Sequence, residues 1–291
     1  MKRISLLWLA AVVAAVLAAG PAAAQQACET DCGACDAPCA GGWLDGCGDG
    51  GGLVFDVELT FLRYFQEGGV TDVLGAPAEF DYELAPRFEL GYVGADGLGL
   101  RTRYWELDAA ATSTAGNPVG VNAYNLDIEL FQVYDLGRDT TLELSAGLRY
   151  AELWQDAANL AVPMTVISNF SGFGGTMAAE VKRDFLNGDL YARARLSLLM
   201  GDAGIRNVIP DGPVVASFAD DCTATQTELA MGYEVSRCFE SLGVATLRAG
   251  VEWQNWANMA VADTAFGGIG DGDVMEDAGF AGFVVGLGLE R

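Results

Sequence analysis

The sequence predicts an all-β chain, a closed antiparallel transmembrane β-barrel of about ten strands (eight to twelve), preceded by a signal peptide and a Cys-rich tether. Three observations predict it. The chain opens with an export signal, ten later runs alternate apolar with polar residues, and the connections between those runs alternate long with short.

Residues 1–24 carry the export signal. Lys2 and Arg3 supply the basic end, Leu6 to Ala19 the apolar stretch, and Ala22-Ala23-Ala24 the small-residue cleavage site. The apolar stretch is too short to cross a bilayer comfortably as a helix. Residues 25–52 are rich in Cys, Gly and Asp without hydrophobic periodicity, and read as a periplasmic tether. The barrel then takes residues 53–291. Five of the seven cysteines, Cys28, Cys32, Cys35, Cys39 and Cys47, lie in the tether. In an exported chain without histidine, such clustering reads as disulfide bonding before zinc. Cys222 falls in a long outer connection and Cys238 at the other end of the same strand, 16 residues away. That span covers about 50 Å of extended chain, far beyond disulfide reach. Cys238 therefore joins the five tether cysteines as a disulfide candidate, and Cys222 is expected to stand apart.

Without Lys2 and Arg3 the chain has 14 basic against 40 acidic residues, a net of −26. A surface so acidic argues against nucleic acid, whose phosphates need basic residues. It also argues against a polybasic attachment to anionic headgroups. A composition that is 51% hydrophobic and 10% aromatic excludes disorder, and 38 glycines favour strands and turns over long helices.

From Leu53 onward the alternation has period two, the mark of strands with one apolar face. In residues 141–150, Leu142, Leu144, Ala146, Leu148 and Tyr150 oppose Glu143, Ser145, Gly147 and Arg149. In residues 190–200, Leu196, Leu198 and Met200 oppose Arg193, Arg195 and Ser197. The other runs are 55–61, 87–93, 98–107, 124–134, 173–182, 226–236, 244–256 and 280–289. Between the ten runs, the connections 95–97, 137–139, 187–189 and 239–243 are short, and Asp96-Gly97 and Asn187-Gly188 supply turn chemistry. The connections 66–86, 108–121, 155–169, 201–223 and 257–279 are long. Short periplasmic turns and long outer loops are the pattern of a membrane barrel with both termini inside. Tyr64, Tyr104, Tyr150, Trp154, Trp253 and Trp256 sit at the ends facing the long loops and are expected to form an aromatic girdle at headgroup level. Trp105 is read the same way, and Tyr191, near a short turn, as part of a girdle at the opposite interface.

If apolar faces meet lipid, the opposite faces line the lumen. Parity places Asp56, Glu58, Glu89, Asp127, Glu129, Glu143, Glu180, Glu228, Glu234 and Glu252 there, with Arg87, Arg101, Arg103, Arg149, Lys182, Arg193, Arg195 and Arg248. Two functions fit this near balance, the first the expected one and the second its alternative. One is a porin-like barrel passing ions or small polar solutes. The other is a non-conducting structural barrel, its lumen cross-linked by ion pairs, that binds a partner through its outer loops or tether. No enzyme is expected, because the absence of histidine removes Ser-His and Asp-His mechanisms and no Gly-rich run opens a helix after a strand. No cofactor or metal is expected either. The acidic run with Asp271, Asp273, Glu276 and Asp277 lacks calcium-loop spacing.

Several stretches carry a family resemblance: Pro86 to Leu107, Leu144 to Trp154, Ser171 to Glu180, Tyr191 to Gly201, Glu228 to Glu234 and Leu247 to Trp256. Through them the chain resembles the pore-forming major outer membrane protein family of the Legionella type, found also in planctomycete-like bacteria. The resemblance implies a Gram-negative outer-membrane barrel that forms a pore and has no catalytic residues. Its implied partners are the lipid bilayer, the outer-membrane assembly machinery and small ions or solutes, with an oligomer possible. The chain departs from such barrels in ending Gly288-Leu289-Glu290-Arg291, where they usually end in an aromatic residue.

Overall fold

A computed structural model describes residues 51–137, 139–161, 164–208, 215–239, 243–260 and 275–291. The signal peptide, nearly all of the tether, its five cysteines, and Asp271 and Asp273 lie outside the described residues. Ten strands follow one another: β1 (Gly52–Gln66), β2 (Tyr82–Val93), β3 (Leu98–Thr112), β4 (Pro118–Asp135), β5 (Thr140–Asn159), β6 (Met164–Phe185), β7 (Gly188–Val208), β8 (Val215–Phe239), β9 (Gly243–Ala260) and β10 (Met275–Glu290). Each pairs antiparallel with its sequence neighbours, and β10 pairs with β1, so the sheet is a closed barrel. The seam runs from Val54↔Glu290 to Gln66↔Ala278. Beyond it, Leu53 and Arg291 exchange backbone hydrogen bonds of 2.7 and 2.9 Å. Closure leaves no sheet edge to face hydrocarbon, where a bare peptide group costs several kcal/mol.

Every strand turns a large apolar residue outward, from Leu59 on β1 (41% exposed) to Met177 on β6 (62%). In water so continuous an apolar surface would drive aggregation; around a barrel it is the lipid-facing band.

The strands run further than the periodicity indicates. The stretches 108–121, 155–169 and 201–223, expected as loops, are largely strand, with turn residues described at 113–117 and 160–161. At their outer ends the outward face meets water rather than lipid, so polar and small residues such as Asp108, Ala110 and Asp156 occupy it. The apolar–polar contrast fades while the ladder continues. Cys222, expected in a loop, lies inside β8 and is buried. At the opposite end, the expected Asn187-Gly188 turn shifts by one residue. Leu186 takes the left-handed conformation (φ 60°), and Gly188 begins β7. A Cβ on Gly188 would strike the Glu234 carbonyl of β8, so this glycine serves strand approach, not the turn.

The β2–β3 ladder is shorter than its neighbours. It joins only Arg87–Val93 to Trp105–Gly99, while β2 pairs with β1 up to Tyr82 and β3 with β4 up to Thr112. Pro86, next to the break, has no N–H to donate to a ladder. The two sides meet again at the Ala78↔Ser113 bridge.

Closure depends on close backbone approach at the seam. A Cβ on Gly282 of β10 would run into the Phe61 carbonyl of β1. Gly282→Val is expected to destabilise the folded barrel by about 1–3 kcal/mol. The midpoint of urea unfolding, followed by the mobility of unboiled samples on gels, measures it.

Candidate functional site

The barrel interior is stratified, and period two decides what enters it. All eighteen charged residues assigned to the lumen by parity point inward, and each takes part in at least one ion pair. At mid-height lies a belt. Arg87 on β2 holds Glu58 on β1 and Glu252 on β9 (2.5 Å). Arg149 on β5 grips Asp127 through two hydrogen bonds of 2.6 and 2.7 Å and reaches Glu228 on β8 at 2.5 Å. Arg103 donates to Glu228 at 3.0 Å, and Arg195 on β7 binds Glu129 on β4. Arg193 approaches Glu58 at 3.4 Å and Glu180 at 3.8 Å. Glu58–Arg87, Asp127–Arg149 and Glu180–Arg193 are neighbours on adjacent strands, while the Arg87–Glu252, Arg149–Glu228, Arg103–Glu228, Arg195–Glu129 and Arg193–Glu58 contacts cross the lumen.

Toward the end that carries Leu53 and Arg291 lies a second, slightly more open layer. Arg101 binds Glu143 (2.7 Å), Glu129 (3.1 Å) and Glu89 (3.4 Å). Lys182 binds Glu234 at 2.6 Å and Glu180 at 3.5 Å, and Arg248 spans Asp56, Glu58 and Glu234. Phe131 lies under the Arg101 guanidinium at 5.0 Å, and Tyr191 under that of Arg248 at 5.5 Å. Tyr191 is therefore an interior residue and not part of a girdle.

On the outer side of the belt, amides lead to an aromatic layer. Gln226 donates to Asn125 at 3.2 Å, and Gln254 links Glu252 (2.7 Å) to the indole of Trp256 (3.2 Å). Trp105, Trp256 and Phe280 then pack within 5.7 to 6.2 Å of one another, and Tyr64 lies 5.3 Å from both Phe280 and Phe80. Trp256, Trp105 and Phe280 are almost wholly buried, together with Leu62, Leu107, Leu153, Phe170 and Leu199. Tyr64, Trp105 and Trp256, expected in the girdle, belong to this layer. The reason is parity: Tyr64 shares a face with Glu58 on β1, Trp105 with Arg101 and Arg103 on β3, and Trp256 with Arg248 and Glu252 on β9. Tyr104, Tyr150, Trp154 and Trp253 do face outward. Tyr124 joins Tyr104 and Tyr150 in a row across three strands, with ring centroids 6.3 and 5.8 Å apart.

A loop caps the layer. Residues 67–81 fold into the mouth and bury Val73, Ala78 and Phe80. Asp72 clips them there. Its carboxylate accepts hydrogen bonds from Ser113 Oγ (2.6 Å), Asn117 Nδ2 (2.7 Å), Leu74 N (2.9 Å) and Ala76 N (3.0 Å). Asn117 in turn accepts from Leu160 N at 3.0 Å, so three outer connections form one unit. Nothing in the sequence pattern marks Asp72, because its partners are 41 and 45 residues away.

Of the disulfide candidates only Cys238 is described, and it is disulfide-bonded. The expected partners Cys28, Cys32, Cys35, Cys39 and Cys47 lie outside the described residues.

The family described as the Legionella pneumophila major outer membrane protein precursor matches residues 56–290. No curated protein matches the chain in sequence. Among solved structures, the outer membrane protease OmpT from Escherichia coli is similar at a TM-score of 0.51 and 9% identity, over 82% of this chain and 96% of that one. The translocator domain of the autotransporter NalP from Neisseria meningitidis has a TM-score of 0.42 at 10% identity, over 83% and 88%. The Pseudomonas putida toluene transporter TodX has a TM-score of 0.36 at 11% identity, over 84% and 89%. At 9% identity the likeness to OmpT shows the fold alone, an outer-membrane barrel.

Two measurements check this architecture. Arg149→Met leaves Asp127 and Glu228 short of a buried partner and is expected to cost about 3–5 kcal/mol in equilibrium unfolding. For Asp72, burial pushes the carboxyl up, but the four donated hydrogen bonds outweigh it and hold the group below the usual aspartate range. A depressed carboxyl contributes stability above its unfolded value of about 4, and that contribution is lost as pH falls through the folded value. The 67–81 loop should resist pepsin near pH 4 and become cleavable at lower pH, whereas Asp72→Asn should be cleaved faster throughout.

Proposed function

Because the chain belongs to the Legionella major outer membrane protein family, and its barrel resides in the bacterial outer membrane, we propose that it is a non-conducting structural barrel that holds its outer hairpins above the membrane to bind a partner. The observation that carries this reading is the sequence of closures inside the wall. A solute entering from outside meets the clipped loop, then the Trp105–Trp256–Phe280 layer, then the belt. Belt residues such as Arg149, Asp127 and Arg195 are 1 to 2% exposed. Breaking one buried pair by removal of a partner costs about 3–5 kcal/mol, and a path through the belt must part several. A dry aromatic layer adds the barrier of dewetting.

The passage of ions or small polar solutes, which the family resemblance implies, has one observation in its favour. The layer nearer Leu53 and Arg291 is more open, with the side chains of Glu89, Glu143 and Asp56 17, 12 and 12% exposed. That opening supports access to the lower layer and stops at the belt. A catalytic role is not part of the proposal, since the interior carboxylates are held by arginine and lysine.

Single-channel recording of the folded protein in planar bilayers tests the reading. No conductance steps are expected from the native chain. Discrete steps from protein of verified heat-modifiable mobility would overturn the sealed reading in favour of a pore.

A further inference from the structure

The break in the β2–β3 ladder leaves a strand edge in an unusual place. Residues 106–112 of β3 pair with β4 on one side and with no strand on the other. The slit beside them is bounded by Arg87↔Trp105 at one end and Ala78↔Ser113 at the other. It opens into a cleft of about 510 Å³ lined by Glu79, Asp81, Ala110, Ala111, Thr112 and Pro118. The free edge begins two residues beyond Tyr104 of the girdle row, where the outward residues of β3 turn from apolar to acidic, so it stands outside the hydrocarbon and water can solvate it. A bare edge in water is a template for another strand, and proteins normally cover or blunt theirs.

The side chains around the slit specify what fits. On its outward face stand the exposed carboxylates Glu106 and Asp108 on the β3 side, and on the other side exposed Tyr82 and Leu84 of β2 with Glu79 and Asp81 beyond them. Arg63 reaches only Glu79, at 3.5 Å. On the inward face lie Leu107, Ala109 and Phe80, with half-buried Glu83 of β2 beside them. An added strand would therefore carry basic residues at alternate positions outward and apolar residues inward. A second copy of this edge is the wrong occupant, because it would bring a second set of the same carboxylates into the slit and no basic residue between them.

We propose that residues 106–112 of β3 are a docking edge for an extended basic segment of a partner protein, which adds as a strand in the slit left by Pro86. Main-chain hydrogen bonds to β3 would supply affinity, and the carboxylate frame would set specificity, as in other strand-addition complexes. This deepens the reading of the outer hairpins as a binding surface and is independent of conductance, which is measured without any peptide.

The test uses the full exported chain in nanodiscs of zwitterionic phosphatidylcholine, which do not attract cationic peptides. The probe is a capped seven-residue peptide of alternating lysine and valine, and the readout is hydrogen exchange with peptide-level resolution. Amides of 106–112 should exchange faster than those of 99–105, and saturating peptide should slow them. Glu106→Gln with Asp108→Asn should weaken binding about tenfold, two exposed charge contacts being lost. Pro86→Val, which restores a ladder donor, should slow exchange at 106–112 without peptide and reduce peptide binding. Equal binding of an alternating glutamate–valine peptide, protection confined to other segments, or protection of 106–112 through dimerisation without peptide would each overturn the proposal.

Discussion

A peptide group in hydrocarbon must find its hydrogen bond within the protein, and the rest of this structure depends on that constraint. It closes β1 on β10 and joins Leu53 to Arg291 at the end of the seam. It also explains where irregularity is allowed. The ladder breaks between β2 and β3 only beyond Tyr104, and the bulge between Gly201 and Ala203 lies on the same outer side. Where water is at hand, a missing ladder bond costs little; one layer lower it would cost several kcal/mol.

Closure creates the second problem, a narrow tube whose inner wall must be filled. The chain fills it with two materials. Near Leu53 and Arg291 and at mid-height the filling is ionic, ten carboxylates against eight basic groups, and toward the mouth it is aromatic. The ionic part is a poor source of net stability, because desolvating a charge offsets most of what its partner returns. What it provides is selection. Arg149 meets Asp127 and Glu228 only if β4, β5 and β8 hold their register, and a one-residue slip would turn the same arginine into lipid.

The architecture was legible in the sequence because its rule is binary. Parity along each strand separated Arg101 and Arg103 from Thr102 and Tyr104 without any knowledge of neighbours. The same rule, applied to the aromatics, places Tyr64, Trp105 and Trp256 inside. Distance from a loop, which suggests a girdle, gives height along a strand and says nothing about face. Other features had no local signal. The Asp72 clip joins turns about 40 residues apart, and the outer extensions of β5 to β8 lose their alternation where lipid ends. Pro86 was visible as a residue, but its effect on the ladder depends on which neighbour its missing N–H would have faced.

The ion pairs of the belt also bear on how the wall is assembled. Arg87 and Glu252 stand 165 residues apart in the chain, and Arg103 and Glu228 stand 125 apart. Neither pair can form while the sheet is still open, so an incomplete barrel carries its charges hydrated. Water must leave the lumen in the same step that brings β1 to β10. The drying of the interior and the sealing of the wall are then one late event, and a chain arrested before it would be a wet, open trough in the membrane.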